Sequence, residues 1–557
     1  VAQSIREMLE TGVRLQSSGR LDEAEKIYRD LLTQHPNHPD ALHLSGAVRL
    51  QRNQVNEAIE LIERAIGINA TIPQYHNTMG MAYWAAGRSG LAIDCFRRAI
   101  AISDTMVVAH SNLANLLRDT GHIPAAIPHY RRTIELAPQN PAYHAALLGA
   151  LHYIDGPTPQ EIFEEHVRWA HRHADPLVAG AAPHANPRDP DRRLRIGYIS
   201  PDLWNHVVAR FLLPALEHRD RRQIEVFCYA DVKTPDEITQ RIRRASDHWR
   251  DIAPLADVQT AKLIRRDKID ILVDLAGQTA FSRLRVLAYK PAPVQVTWQG
   301  YPNTTGMKAV DYRLTDAMAD PPGQTEQWHI ERLVRLPTAW CYQPIDDAPI
   351  RPGPSQRGEP FTFGSFNNLL KLTDSMLTLW ATLLHRVPGS RLLLKAQALS
   401  DSYARNRVER IFADRQIAPD RLIIRGAEPE HAKHLSMYAD MDLALDSYPY
   451  HGTTTTVEAL WMGVPVITLA GPSHVSRVGA SLLHSAGLDD FVTNSRDEYL
   501  ALAIKTSQNR PLLAELRRTL RDRLQQSPLL DAPAFAQSIE AAYRAMWREW
   551  CEKRVSP

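Results

Sequence analysis

The stretch Leu445–Gly471, LDSYPYHGTTTTVEALWMGVPVITLAG, sets the fold class for the larger part of the chain. A short apolar strand ends at Asp446, a Gly/Thr loop follows, and the pattern predicts a helix from about Thr455 to Met462. Gly463 suits the position just past a helix end, and Pro465 opens a second strand. Strand, loop, helix and strand in this order make the βα unit of a parallel sheet. The threonine-rich helix start offers backbone N–H groups, hydroxyls and the positive dipole end, which together suit a diphosphate. Glu458, placed by this reading in the first helical turn, can accept both hydroxyls of a ribose. An ordinary capped helix also favours Thr and an early Glu, so the local pattern leaves nucleotide binding and simple capping both open.

Outward from this block the same alternation recurs. IGYIS (196–200), IEVFCYA (224–230), IDILVDLAG (269–277), VQVTWQG (294–300) and VDYRLTD (310–316) read as strands, each followed by a helical or loop segment. After a Pro/Gly-rich break at 344–360 comes a second series: FTFGSF (361–366), RLLLKA (391–396), RLIIRG (421–426), DLALDS (442–447) and VPVITLAG (464–471). Two Rossmann-like halves place a cleft between the carboxyl ends of their sheets. The amphipathic stretch 532–554 is expected to cross back over the first half.

Three further elements face that expected cleft. FGSFNNLLKLT (363–373) turns through Phe366, Asn367 and Asn368 towards Lys371. The chain has only 11 lysines among its 65 Lys and Arg residues, so a lysine just past a strand end is a candidate phosphate ligand, with an ordinary solvated lysine as the alternative. His431 and His434 precede the strand bearing Asp442 and Asp446, and His434 can donate to a phosphate or the scissile oxygen. SPDLWNHVVARFLLP (200–214) puts Asp202, Asn205 and His206 in the loop after a strand, with His206 open to a role as general base, as an acceptor-orienting group or as a structural residue. Asp440-Met441-Asp442 matches the D-x-D pattern of metal-dependent glycosyltransferases. With Lys371 and His434 as cations it is read as a coincidence, so no metal is expected. Phosphate-loop, dinucleotide and nucleophile-elbow motifs are absent.

The first third follows another rule. Ala24, Ala58, Ala92 and Ala126 recur every 34 residues, with Tyr28, Ile62, Phe96 and Tyr130 four residues later. Gly12, Gly46, Gly80 and Ala114 precede them, and Gly19, Asn53, Gly87 and Gly121 keep the same register as turn positions. The period resembles the tetratricopeptide repeat, whose small residues let paired helices approach while the aromatic fills the gap. Four copies and a partial fifth, from Pro141 to about Gly156, give a superhelical array, which serves either as a groove for an extended peptide or protein partner or as a scaffold that holds the next domain. Apart from Asn77 and Asn112, no regular asparagine series lines the inner helices. His166, His171 and His173 lie on a following helix at spacings unsuited to one metal site, and are expected at the surface.

The expected domains are repeats at 1–156, a helical linker at 157–193, an acceptor-side half at 194–345, a nucleotide-sugar half at 346–531 and a returning helix at 532–557. Composition agrees with a folded, soluble chain: 557 residues, 44% apolar, 23% charged, net charge +2. That near-neutrality speaks against a dedicated nucleic-acid binder. No apolar run is long enough for a bilayer, and no signal peptide is visible. Four scattered cysteines fit a reducing compartment, so a cytoplasmic location is expected.

Taken together, the repeats, RIGYISPDLWNHVVARFL, PAPVQVTWQGYPNTTG, FGSFNNLLK and the block through Gly471 resemble the O-linked N-acetylglucosamine transferase family, with the plant SPINDLY proteins as close relatives. The chain looks like a compact bacterial member, lacking the domain that animal enzymes insert between the two halves. The resemblance implies an α-helical tetratricopeptide superhelix followed by a glycosyltransferase-B fold, and inverting, metal-independent transfer of N-acetylglucosamine from UDP-GlcNAc to Ser or Thr hydroxyls of proteins. It implies that Lys371, His434, Thr453, Thr454 and Thr455 face the diphosphate and that Glu458 holds the ribose, where animal enzymes have Asp. Asn368 matches a family Gln beside the diphosphate, Gly300 lies in the sugar-facing loop, and His206 matches a histidine proposed as general base or acceptor-shaping group. GDP-fucose or UDP-glucose as donor, and a non-catalytic repeat adaptor, are the alternatives.

Overall fold

The 34-residue period becomes four helix pairs: Ile5–Ser17 with Leu21–Gln34, Pro39–Gln51 with Val55–Ile68, Pro73–Ala85 with Ser89–Ile102, and Val107–Asp119 with Ile123–Leu136. The computed structural model describes residues 4–178, 183–344 and 348–553. Each pair is joined at its register position in the left-handed region, with φ of +78° at Gly19, +61° at Asn53, +69° at Gly87 and +83° at Gly121, a conformation that glycine and asparagine adopt at least cost. The small residues do what the repeat pattern requires of them. A β-carbon on Gly12 would stand 2.3 Å from the Tyr28 ring, and one on Gly80 would stand 2.6 Å from the Phe96 ring. Ala24, Tyr28, Ala58, Ile62, Ala92, Phe96 and Ala126 are wholly buried. Asn112 Nδ2 donates to Asn77 Oδ1 at 3.0 Å, linking successive repeats.

This packing sets the sign of two substitutions. Gly80→Ala gains helix propensity but drives a methyl into a buried ring; overpacking of roughly 1–3 kcal/mol outweighs a gain of about 0.5–1 kcal/mol. Gly67→Ala meets nothing within 4 Å and keeps only the gain. Thermal melts should therefore move down for the first and up for the second; shifts of the same sign would contradict this account of the repeat.

The chain divides into two compact units, one ending at His144 and taking in Ala398–Val408, the other comprising the rest. The partial fifth copy appears as the helix Pro141–Leu151, and Gly156 (φ +117°) marks the turn where the register is lost. The next helix, Pro159–His173, corrects one expectation. His171 is exposed, but His166 and His173 are buried. His166 Nε2 lies 2.8 Å from the Tyr301 hydroxyl and its Nδ1 lies 2.7 Å from the Ile162 carbonyl oxygen, so the ring is satisfied inside the fold.

The second unit carries two parallel sheets. The first contains β1 (Leu194–Ser200), β2 (Ile224–Ala230), β3 (His248–Asp251), β4 (Ile271–Asp274), β5 (Val294–Thr297), β6 (Tyr312–Asp316) and β7 (Arg332–Leu336), in the order β3-β2-β1-β4-β5-β6-β7. The second contains β8 (Thr362–Ser365), β9 (Arg391–Lys395), β10 (Leu422–Arg425), β11 (Leu443–Leu445), β12 (Val466–Leu469) and β13 (Val492–Thr493), in the order β10-β9-β8-β11-β12-β13. All ten strands read from the sequence are present, and β3, β7 and β13 are additional. Strand order reverses between β1 and β4 and between β8 and β11, the switch points at which doubly wound sheets bind ligands. The last helix, Ala532–Glu552, returns to the first half, where Phe535, Ile539, Tyr543, Met546 and Trp547 join the core of β1, β2, β4 and β5. The expected boundary at 345/346, and residues 179–182 of the expected linker, lie outside the described residues.

Candidate functional site

Both loops that leave the second switch point converge. After β8 the chain passes Phe366 and Asn367 into the short turn Leu369–Lys371; after β11 it passes Asp446 into the loop that opens the helix Thr454–Trp461. Asp446 organises the junction: its Oδ1 accepts from the Ser447 N–H at 2.9 Å, the Gly452 N–H at 2.7 Å and Asn367 Nδ2 at 3.3 Å, and its Oδ2 accepts from the Thr468 hydroxyl at 2.8 Å. Asn367 Oδ1 in turn accepts from the Thr455 hydroxyl at 2.9 Å. A β-carbon on Gly452 would fall 2.7–2.9 Å from the side-chain oxygens of Thr455, Thr456 and Asn367, so any larger residue there would displace these groups.

Lys371 reaches into this loop. Its Nζ donates to the His451 carbonyl at 2.7 Å and stands 4.4 Å above the Tyr450 ring. One of three ammonium hydrogens is thereby placed, leaving two to direct at an anion. Burial pushes the ammonium down to about 8, against the opposing pull of Asp446. The helix beside it starts without a side-chain cap: Thr453 occupies the cap position but its side chain accepts no backbone N–H of the first turn, and the Thr454 hydroxyl is buried with no hydrogen-bond partner. An orphaned hydroxyl at an uncapped helix N-terminus beside a lysine has the chemistry to receive an anion. Asn368 is exposed, and its Oδ1 caps its own turn by accepting from the Leu370 N–H at 3.1 Å.

Glu458 sits deeper. It is the fifth residue of its helix, in the second turn rather than the first, because the helix begins at Thr454. Its Oε1 accepts from Arg210 at 3.1 Å and from His431 at 3.0 Å, and its Oε2 accepts from His434 Nε2 at 3.1 Å. Lys395 Nζ donates to His434 Nδ1 at 2.7 Å, which fixes the His434 proton on Nε2. The carboxyl is held at about 2: burial opposes this, but hydrogen bonds from His431 and His434 and the charge of Arg210 outweigh it. A carboxylate has about four acceptor positions, so at most one remains. Glu458 takes two ribose hydroxyls only when one of its present donors yields.

Arg210 enters from the first half, one helical turn beyond His206. His206 caps the helix Val207–Glu217, its Nδ1 accepting from the Val208 N–H at 3.3 Å. Its ring lies 3.8 Å from Asp202 and against Trp204. Burial moves His206 below the usual histidine range, against the pull of Asp202, and raises Asp202. Gly300 follows β5 where a β-carbon would stand 1.9 Å from the Leu275 carbonyl oxygen, so close backbone approach alone requires glycine. The two halves also meet through Asp320 and His474 at 2.6 Å and through Trp340 Nε1 and the Ser481 hydroxyl at 3.1 Å.

The D-x-D pair lies at the wrong end of its strand. Asp442 precedes β11 and accepts from the Ser355 N–H at 3.1 Å and the Thr362 N–H at 2.9 Å, while Asp440 pairs with Arg425 at 2.6 Å. Among the described residues no group of three or more His, Cys, Asp or Glu is arranged to hold a metal ion.

Comparison with known proteins follows the same lines. A model described as glycosyl transferase family 41 matches residues 171–343 and 357–539, and two tetratricopeptide repeat models match 15–81 and 77–141. A tomato (Solanum lycopersicum) protein named probable UDP-N-acetylglucosamine–peptide N-acetylglucosaminyltransferase SPINDLY is 41% identical over 412 residues, 73% of this chain and 44% of its own length. An Arabidopsis thaliana protein named probable UDP-N-acetylglucosamine–peptide N-acetylglucosaminyltransferase SEC is 34% identical over 375 residues, 65% of this chain and 38% of its own length. The chain thus spans less than half the length of these plant relatives. A solved structure of a mutant O-GlcNAc transferase from Thermobaculum terrenum superposes with a TM-score of 0.83 at 37% identity, over 92% of this chain and 98% of that one.

Proposed function

The chain belongs to glycosyl transferase family 41, and from that premise we propose that it is an inverting, metal-independent transferase that moves N-acetylglucosamine from UDP-GlcNAc to Ser or Thr hydroxyls of polypeptides in the cytoplasm. The observation that carries this reading is the uncapped start of the helix Thr454–Trp461, with its orphaned Thr454 hydroxyl, beside the Lys371 ammonium. The relatives' names supply the donor and acceptor classes. Four unpaired cysteines, two of them buried, accord with a reducing compartment.

In this mechanism the acceptor oxygen attacks the anomeric carbon from the face opposite the diphosphate. Negative charge grows on the departing phosphate oxygen, where the helix N–H groups, the Thr454 hydroxyl and Lys371 meet it. Glu458 receives the ribose, with His431, His434 and Arg210 holding its orientation. The repeat array offers its groove to the polypeptide. The domain division read from the strand and helix pattern and the resemblance, with an acceptor-side half and a nucleotide-sugar half, is kept in this scheme.

His206 is assigned an orienting role. Its Nδ1 lone pair is committed to the Val208 N–H, so the neutral ring carries its proton on Nε2 and donates there rather than accepts. An acceptor hydroxyl held by that N–H keeps its lone pair aimed at the sugar, and its own proton leaves to water or to a donor phosphate oxygen.

Thermal-shift titration with UDP, GDP and their sugars, followed by radiolabelled transfer into a lysate, tests the reading. UDP and UDP-GlcNAc should raise the melting temperature, and label from UDP-GlcNAc should enter protein. Stabilisation by GDP or GDP-fucose alone would replace the donor, and nucleotide-sugar binding without transfer would make the protein an adaptor.

A further inference from the structure

Beside His206 the first half holds a cavity of about 320 Å³ to which the mechanism above gives no task. Its walls come from the carboxyl ends of three neighbouring strands: Pro201, Asp202 and Trp204 after β1, Val232 and Lys233 after β2, and Phe281 beyond β4. The Asp231 N–H donates to the Ser200 carbonyl at 3.1 Å, and the Asn205 N–H donates to Asp236 at 2.7 Å, so the walls are tied to the sheet and to each other. Two large apolar side chains stand open here, Trp204 at 40% and Phe281 at 74% exposure. Phe281 is presented from a backbone φ of +62°, a conformation a bulky residue holds only when its surroundings enforce it.

The charged groups of the cavity already have neighbours that answer them. Asp231 is paired with Arg283 at 3.3 Å, and Asp202 lies 3.8 Å from His206. Lys233 stands 4.5 Å over the Phe281 ring, which repels a second cation from that face. What remains unmatched is apolar surface. The cavity also starts next to His206, since Asp202 and Trp204 touch both. Successive residues of an extended chain are 3.3–3.6 Å apart, so a hydroxyl residue set against His206 delivers its close neighbours in the chain to this cavity.

We propose that the Trp204–Phe281 cavity is an acceptor-specificity pocket that receives an aromatic or aliphatic side chain one or two residues from the modified Ser or Thr. The proposal rests on the transferase reading, and its test separates the two. The probes are fluorescein-labelled Ser/Thr peptides in which each position flanking the hydroxyl residue is varied among Phe, Leu, Lys and Ala. The 557-residue chain is compared with Phe281→Ser and with Thr234→Trp, which fills the cavity from Thr234, a further residue of its wall.

Wild type should favour a Phe or Leu flank over Ala by roughly tenfold or more in kcat/KM, the discrimination available to an apolar pocket. Both variants should abolish that preference through KM. Their kcat on Ala-flanked peptides and their acceptor-free donor hydrolysis should be unchanged. Peptide binding without donor, read by fluorescence anisotropy, should show the same preference and the same loss. Transfer that ignores the flanks, prefers Lys or is untouched by both variants overturns the pocket. Flank-dependent binding that the variants erase, with no transfer from any nucleotide sugar, upholds the pocket and overturns the transferase reading.

Discussion

Lys371→Ala should lower kcat by roughly 10²-fold or more while the protein melts at its usual temperature. The ammonium is tied directly to the loop that begins the helix Thr454–Trp461, through the His451 carbonyl and the Tyr450 ring, where the proposed mechanism places the diphosphate. Its stabilisation grows with charge on the leaving oxygen, so it belongs to the transition state more than to the ground state, and KM for the donor should change less than kcat. The pH profile follows from the same side chain. With the group at about 8 in the ligand-free protein, kcat/KM should fall as pH rises through that value, because deprotonation removes the charge. In the donor complex the diphosphate favours the protonated form, so the alkaline limb of kcat should lie higher. Steady-state kinetics from pH 6 to 10 read both. Near-normal turnover of the alanine variant, or a profile flat through this range, would remove Lys371 from the mechanism.

Much of this architecture was legible in the sequence because two short-range rules dominate it. The 34-residue recurrence of Gly80-like, Ala92-like and Phe96-like positions is a contact map in itself: Gly12, Gly46 and Gly80 each face Tyr28, Ile62 or Phe96 of the paired helix. Strands such as Val466–Leu469 and Ile271–Asp274, buried on both faces, read as continuous apolar runs. The strands that escaped are those without that signature. His248–Asp251 and Arg332–Leu336 sit at the two edges of the first sheet, carry charges and are mostly half-exposed, so their pairing is dictated by the neighbouring strand rather than by their own composition.

The site was legible where a motif is local and hidden where partners come from afar. Thr453 and Lys371 lie in recognisable turns at the β8/β11 switch point, and Thr454, Thr455 and Glu458 in the helix that opens there. Arg210, 248 residues before Glu458 and in the other half, carried no signal, since an arginine inside an amphipathic helix is ordinary. Asn367 was passed over for its neighbour Asn368, although it is Asn367 that bridges Thr455 and Asp446; one residue of register decides which amide turns inward. His166 looked like a surface histidine because spacing along one helix cannot show that Tyr301, 135 positions away, will cover it.

Glu458→Gln should weaken the fold by roughly 3 kcal/mol at neutral pH and sharply reduce donor affinity, because the buried carboxylate is the common acceptor for Arg210, His431 and His434. Removing one member of a buried charge cluster leaves the others uncompensated, which costs more than the pair itself contributes. The pH dependence has a definite sign. The carboxyl is held at about 2 in the folded protein and returns to an ordinary value near 4.3 when unfolded. Its contribution is therefore complete above about pH 4.5 and is lost progressively as pH falls towards 2. Urea denaturation of wild type and variant across pH 7 to 2.5 isolates this group, since the other carboxylates cancel in the difference. The gap should be widest at neutral pH and close in acid. A gap independent of pH, or one below about 1 kcal/mol at pH 7, would mean that the cluster around Glu458 is held by packing rather than by its charge. Donor affinity measured at pH 7 on the same variant then separates the two roles. A loss that Glu458→Asp partly restores belongs to ribose recognition, whereas a loss that tracks stability across all three proteins belongs to the fold.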